Sequence, residues 1–284
     1  VLECVVNVSE GRDATVVAAI ADAGRDALLD VHSDPDHHRS VLTLAGPAVE
    51  DAVRAVAHAT VRLVDLRRHD GVHPRLGALD VVPFVPLDAA GHPFAPGTGL
   101  RSAVDARDRF ATWIADTLGV PCFFYGPERT LPEVRRGAFG VLAPDTGPAR
   151  PHPSAGACAV GARHALVAYN LWLDTADVAV ARAVAARARG PALRTLGLAV
   201  GGVSQVSCNL VDPVGLGPAD AYDLVDRLAR ESGTAVARAE LVGLAPDAVV
   251  RGTPARRRPA LDLDLDRTVE ARLAALAAGP PGRS

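Results

Sequence analysis

"LLDVHSDPDHHRSVLTLAGP", Leu28–Pro47, is the stretch from which the fold can be read. Two apolar-rich runs, Ala27–His32 and Arg39–Ala45, flank the polar segment "SDPDHH". Such runs joined by Ser, Asp and Pro predict an antiparallel strand pair. On the N-terminal side, Val1–Val8 reads as a strand that breaks at Gly11, and Ala14–Ala23 as a short helix. On the C-terminal side, Pro47 opens a helical pattern over Val49–Leu66 that places Val53, Val56, Ala57, Val61 and Val64 on one face. Ala78–Val85 follows as a strand. The order strand, helix, strand, strand, helix, strand is the split β-α-β pattern of ferredoxin-like folds.

The rest of the chain extends this pattern and then repeats it. A second long helix is expected over Ser102–Leu118, and "VPCFFYG", Val120–Gly126, reads as a buried strand. After the Pro/Gly-rich loop Pro144–Gly156 the pattern restarts. His164–Leu173 is a strand, Thr175–Arg189 a helix, Ala192–Val200 and Gln205–Asp212 strands, Pro218–Ser232 a helix and Ala237–Val242 a strand. No sequence repeat accompanies this repeat of order. The expected fold is therefore α/β (α+β), with two ferredoxin-like-ordered subdomains, each a sheet with helices on one side. An open sheet face has to be covered, and packing the two faces together is the economical solution. The boundary is expected near Leu173, giving subdomains 1–173 and 174–284. A last helix is expected over Arg267–Ala278, with "GPPGRS", Gly279–Ser284, as a frayed tail and the basic turn "TPARRRP", Thr253–Pro259, as a solvated surface feature.

Composition excludes several function classes. The chain has 284 residues, 49% hydrophobic, enough for one large core or two smaller ones. A net charge of −3 and only 4% aromatic residues give no electrostatic or stacking basis for nucleic-acid binding. Apolar runs are short and interrupted, so no membrane span is expected, and the first residues lack the basic region of a secretory leader. Cys4, Cys122, Cys158 and Cys208 are far apart in apolar surroundings, as expected for buried free thiols in a reducing cytoplasm.

Chemistry-bearing residues cluster in "RRHDGVHPRLGALD", Arg67–Asp80, just before the apolar run "VVPFVP". His69 and His73 have the spacing of two metal ligands on a helix. Gly71 and Pro74 oppose a helix there, and the glutamate of an H-E-x-x-H site is missing. Metal ligation, a catalytic histidine and an ordinary loop all remain open on pattern alone. The catalytic reading draws on the neutral-range titration of histidine, on Arg75 as a carboxylate donor, and on Asp70 or Asp80 as the acid that orients His73. A second cluster, "HSDPDHHRS" at His32–Ser40, reads as a metal-rich loop, a plain hairpin loop, or a site wall with Arg39 as an anion contact. A third, "GPARPHPSAG" at Gly147–Gly156, is a stiff loop suited to flank a flat ligand. Phosphate-loop, dinucleotide-binding and nucleophile-elbow patterns are absent.

Several segments together resemble the formiminotransferase domain family. These are "LECVVNVSEG" at Leu2–Gly11, Leu28–Pro47, "RRHDGVHPRLGALDVVPFVP" at Arg67–Pro86, "VPCFFYG", "HPSAGACAVGAR" at His152–Arg163 and "QVSCNL" at Gln205–Leu210. The run H-P-R-x-G-A-L-D, His73–Asp80, is the most specific. The resemblance implies two α/β subdomains whose sheets face each other across a tunnel. It also implies transfer of a formimino group from N-formimino-L-glutamate to tetrahydrofolate, a co-substrate, in histidine degradation and one-carbon metabolism. His73 takes the place of the family's catalytic histidine. Gly147, Pro148, Ala149, Arg150, Pro151, His152, Pro153, Ser154, Ala155 and Gly156 take the place of its folate-contacting loop. Arg39 and Arg75 are candidate contacts for substrate carboxylates. The resemblance calls for no metal and allows for a homodimer. Two departures bear on specificity: family members often carry an aromatic residue where Ala155 stands and an aspartate where His32 stands. A paralogue with another formimino donor or acceptor, and a non-catalytic folate binder, are the alternative readings. No cyclodeaminase segment follows, so that second reaction is expected of another protein.

Overall fold

The computed structural model describes residues 1–94 and 98–279, and the expected tail beyond Gly279 lies outside the described residues. The chain divides into two compact units, Val1–His164 and Ala165–Ser284. The division falls nine residues before the expected one. The strand that follows it, Val167–Leu173, pairs on both sides with strands of the second unit and so cannot belong to the first.

The first unit runs β1 (Leu2–Val8), α1 (Ala14–Ala23), β2 (Leu28–Asp34), β3 (Arg39–Ala45), α2 (Val49–Leu63), β4 (Leu79–Pro86), α3 (Arg101–Leu118), β5 (Cys122–Tyr125), α4 (Leu131–Gly137) and β6 (Cys158–Ala162). Its sheet has the order β2-β3-β1-β4-β6-β5. The first four strands are antiparallel neighbours, and β3 lies between β1 and β2, which is the split arrangement read from the sequence. β6 and β5 then extend the sheet in parallel from β4. Local chemistry sets the helix ends. The Asp13 carboxylate accepts from the backbone N–H groups of Thr15 and Val16 at the start of α1, and Gly119, with φ 65°, ends α3 in the left-handed conformation.

Strand alternation sorts the two faces of the sheet. Cys4, Val6, Val8, Leu42 and Leu44 are buried in one core with Ile20 of α1, Val53, Val56 and Ala57 of α2, and Phe110 and Ile114 of α3. Asn7 and Arg39 belong to the other face. Near β5 and β6 that face is closed by α4, whose Val134 packs with Val81, Phe123, Tyr125 and Ala159. All eight residues of β4 are buried, as a strand covered on both faces requires. Two elements here were not anticipated. β6, "CAVGA", has only one β-branched residue, and its Gly161 is needed because a Cβ there would lie 2.2 Å from the Tyr125 ring. α4 is too short to show a helical period.

The second unit runs β7 (Val167–Leu173), α5 (Val178–Ala188), β8 (Leu193–Val200), β9 (Val203–Leu210), α6 (Pro218–Glu231) and β10 (Val236–Val242), followed by α7 (Asp247–Gly252) and α8 (Val269–Ala278). Its sheet order, β10-β7-β9-β8, all antiparallel, repeats the four-strand order of the first unit. The arginine turn is less free than expected. Arg257 makes a two-point contact with Asp223, and Arg258 donates to the carbonyls of Thr253 and Arg251. No helix among the described residues is long and apolar enough to cross a membrane.

Candidate active site

The ends of β1, β3 and β4 bring together Asn7, Arg39 and Asp80, which sequence alone left unconnected. Arg39 is the hub. Its Nε and Nη2 donate to Asn7 Oδ1 at 2.9 and 2.5 Å, and its Nη1 donates to Asp80 Oδ2 at 2.7 Å. Asp80 is fully buried. It also accepts from Arg135 Nη2 at 2.7 Å and from the Leu76 backbone N–H at 2.6 Å. Burial by itself would raise the Asp80 pKa, but the Arg39 and Arg135 charges and these hydrogen bonds outweigh it and hold the carboxyl at about 2. Asp80 is therefore an anion at every physiological pH.

His73 sits on this cluster. Its Nδ1 lies 2.7 Å from the Pro74 carbonyl oxygen and 2.9 Å from Arg39 Nη1. One ring nitrogen cannot serve both, because the carbonyl needs a proton on Nδ1 and the guanidinium needs a lone pair. Arg39 Nη1 already has Asp80 as its acceptor, whereas a bare Nδ1 would set two lone pairs against each other at 2.7 Å. The contacts thus select the Nδ1–H tautomer, which leaves the lone pair on Nε2. No described protein group hydrogen-bonds Nε2. Burial, and then the Arg39 charge, pushes the His73 pKa well below its usual value; Asp80 opposes the shift and Arg135 adds to it. Burial and the Arg39 charge both favour the neutral ring, with its basic nitrogen open.

The two acids proposed to orient His73 separate cleanly. Asp70 is exposed and pairs with Arg12 at 2.5 Å. Asp80 acts at one remove, through Arg39. His69 does not share a site with His73. Its Nε2 faces the His38 carbonyl at 2.9 Å, its Nδ1 accepts from the Gly71 N–H at 3.2 Å, and its ring stacks on His38 with centroids 4.1 Å apart. Arg75 donates to the carbonyls of Gly71 and His69 at 3.0 and 2.9 Å. His69 and Arg75 thus fasten the loop that carries His73, and both proposed carboxylate contacts, Arg39 and Arg75, already hold protein acceptors. His37 is buried with its ring centroid 5.9 Å from that of His73, and His32 lies on β2 opposite Val41. Among the described residues no group of three or more His, Cys, Asp or Glu is placed to hold a metal ion.

The loop Gly147–Gly156 has two parts. Gly147, Pro148, Ala149, Arg150 and Pro151 are exposed. His152–Gly156 is a tight turn closed by backbone bonds between His152 and Gly156 at 2.7 and 2.9 Å, with His152 Nδ1 accepting from the Ala155 N–H at 3.0 Å. Pro153 is exposed at its tip and Ser154 is half-buried. The turn is bonded to both ends of the His73 loop: Leu66 N–H donates to Ser154 O, Ala78 N–H to Ala155 O, and Ala157 N–H to Leu76 O. The Ala155 side chain is 1% exposed and belongs to the core. A ligand on this turn meets its backbone and neighbouring side chains rather than the Ala155 methyl.

The family model for the N-terminal subdomain of the formiminotransferase domain matches residues 1–163. The chain belongs to the formiminotransferase family. It is 32% identical to a glutamate formimidoyltransferase of Streptococcus pyogenes over 87% of this chain and 89% of that protein. It is 33% identical to a glutamate formimidoyltransferase of Thermoplasma acidophilum over 87% and 88% of the two chains. It is 35% identical to the formimidoyltransferase-cyclodeaminase of Sus scrofa over 86% of this chain, which spans about half of that longer protein. The family match ends one residue before the division between the two units, after His164. In this formiminotransferase chain, sequence reading missed Asn7 and Arg135. Asn7 interrupts the apolar run "VVNV" and Arg135 lies in an unrecognised helix, so neither had a partner that could be named without the fold.

Proposed function

We propose that the chain transfers the formimino group from N-formimino-L-glutamate to tetrahydrofolate, giving 5-formiminotetrahydrofolate and L-glutamate, with His73 as the proton carrier. Family membership supports the reaction, which belongs to histidine degradation and folate one-carbon metabolism. The observation that carries the residue assignment is the 2.7 Å contact of His73 Nδ1 with the Pro74 carbonyl oxygen, which calls for a proton on Nδ1 and leaves Nε2 without a described protein partner. The folate amine attacks the formimino carbon and a tetrahedral adduct forms. His73 Nε2 takes the proton from the attacking nitrogen and returns it to the glutamate nitrogen as the carbon–nitrogen bond breaks, so one proton moves and none is gained or lost. A depressed pKa suits the second half of this cycle: the imidazolium beside Arg39 and Arg135 is a strong acid and gives up its proton readily. The folate loop Gly147–Gly156 fits this reading through its bonds to both ends of the His73 loop. Arg39 serves as an orienting cation rather than as a carboxylate contact. The cyclodeaminase activity named for the longer relatives is not carried over to this chain.

The test is formimino transfer measured with tetrahydrofolate for wild type and His73→Ala, with folate binding followed by calorimetry. Loss of a working acid–base group is expected to lower kcat by about 10²–10⁴ while folate still binds. A wild-type protein that binds folate and transfers nothing would refute the enzyme reading, and a fully active His73→Ala would refute the role of His73.

A further inference from the structure

The reading of His73 as proton carrier leaves open what selects its tautomer and charge. The obvious groups lie in the sheet, but the decisive one does not. Arg135 belongs to α4, outside the four-strand core and 62 residues along the chain from His73. Its two terminal nitrogens divide between the two groups that govern His73. Nη1 donates to the Pro74 carbonyl oxygen at 2.8 Å, and Nη2 donates to Asp80 Oδ2 at 2.7 Å. The Pro74 oxygen is the acceptor for His73 Nδ1, and Asp80 is the counter-ion of Arg39, which touches the same Nδ1. We propose that Arg135 is the positioning residue that fixes His73 in its neutral Nδ1–H form, by holding the carbonyl that accepts from Nδ1 and the carboxylate that anchors Arg39.

The helix is built to present this side chain. Thr130 and Glu133 cap one another at its start, with Thr130 N–H donating to Glu133 Oε2 at 2.6 Å. Val134 is fully buried against Phe123, Tyr125 and Ala159. The backbone on either side of Arg135 is thereby fixed, and the next arginine, Arg136, turns to solvent. A carbonyl oxygen has two lone pairs, so Pro74 accepts from Arg135 and His73 together, and the guanidinium sets its direction. The charges act in the same sense. His73 faces Arg39 from β3, Asp80 from β4, Arg135 from α4 and the His37 ring from the β2–β3 turn, while Arg75 in its own loop turns to Gly71 and His69. One carboxylate between two guanidiniums leaves a net positive charge beside the imidazole, which opposes its protonation. Without Arg135, Asp80 and Arg39 form a neutral pair and that opposition weakens.

Arg135→Gln, Arg135→Lys and Arg136→Gln separate this role from a merely structural one. The readouts are the NMR titration of His73, assigned by comparison with His73→Gln, and the pH profile of kcat for formimino transfer. In Arg135→Gln the His73 midpoint and the acid limb of kcat are expected to move together to higher pH, and kcat at neutral pH to fall roughly 10–100-fold, the scale of losing a partner that orients a working histidine. Arg135→Lys keeps the charge but not the two-point grip, so the midpoint is expected to return toward wild type while kcat recovers only in part. Arg136→Gln is expected to match wild type in both. A His73 midpoint unmoved in a folded Arg135→Gln overturns the proposal, whatever happens to activity. If Arg135→Gln does not fold, Arg135→Lys decides, and wild-type kcat in that variant overturns it. Full activity in His73→Gln would instead overturn the proton-carrier reading, while the titration would still judge Arg135.

Discussion

Replacing Asp80 with Asn removes one charge from a buried set of three. The wild-type carboxylate is completely buried and receives Arg39, Arg135 and the Leu76 N–H. Asparagine is nearly isosteric, but one of its two acceptor atoms becomes a donor facing donors. The two guanidiniums then lose their common counter-ion, with only 12% and 19% of their side chains exposed to water. Breaking a buried pair by deleting one partner costs roughly 3–5 kcal/mol. Arg39 keeps Asn7 and Arg135 keeps some water, which places the cost near the lower end, about 3 kcal/mol. For a unit of this size that is a fall in Tm of roughly 6–12 °C. The pKa gives an independent check. A carboxyl held at about 2 in the fold, against an ordinary value near 3.9 in the unfolded chain, contributes roughly 2–3 kcal/mol. Because the folded pKa is depressed, that contribution is complete above about pH 4–5 and is lost as pH falls through the folded value near 2. The gap between wild type and Asp80→Asn should therefore be widest near neutrality and close in acid. Urea unfolding followed by Trp113 fluorescence in a Trp172→Phe background reports on the first unit, since these are the two tryptophans of the chain. A gap under about 1 kcal/mol at pH 7, or one that stays constant from pH 5 to pH 2, would refute the electrostatic account of the cluster.

Two further outcomes follow from the geometry. Burial and Arg39 depress the His73 pKa, so the acid limb of wild-type kcat/KM should lie below about pH 6.5, the ordinary histidine value; a limb at or above that pH in the steady-state profile would contradict the site's charge balance. Gly77→Ala should cost on the order of 1–3 kcal/mol in chemical unfolding and lower kcat as well, because the added Cβ would lie 2.0 Å from the Ala157 carbonyl oxygen at the point where the His152–Gly156 turn joins the His73 loop; wild-type stability in that variant would show that the two segments are not held together as described.

The sequence carries much of the fold because the repeated element order is written in its apolar runs: the one-sided pattern of α2 survives through Val53, Val56 and Ala57, and the continuous apolar run of β4 becomes a strand buried on both faces. It is silent where elements are short or small-residued, as in α4 and β6. The site divides along the same line. Gly71 and Pro74 deny a helix to the His69–His73 pair but leave several readings of His73 open, and it is the family resemblance that singles His73 out, while Arg39 stands only as one possible anion contact in a polar segment. Asp80 appears in the sequence only as one of two acids near His73, and its action through Arg39 depends on the register that sets β1 between β3 and β4. Arg135 has no local signal at all. As the first arginine of "RRG" it looks solvent-facing, and only the Thr130–Glu133 capping pair gives a clue to the helix that turns it inward.

The chain builds the same four-strand arrangement twice, and the proposed site lies in the first copy. Arg135 and the His152–Gly156 turn both come from the segment between β4 and β7, and among the described residues the second unit adds no strands after its fourth. The first copy differs by an addition at one sheet edge, a short helix and two parallel strands, with β6 paired to β4. If Arg135 holds His73 as proposed, acid–base tuning is set from the sheet edge: a substitution in that added helix retunes the histidine while the strands that carry Arg39 and Asp80 keep their sequence.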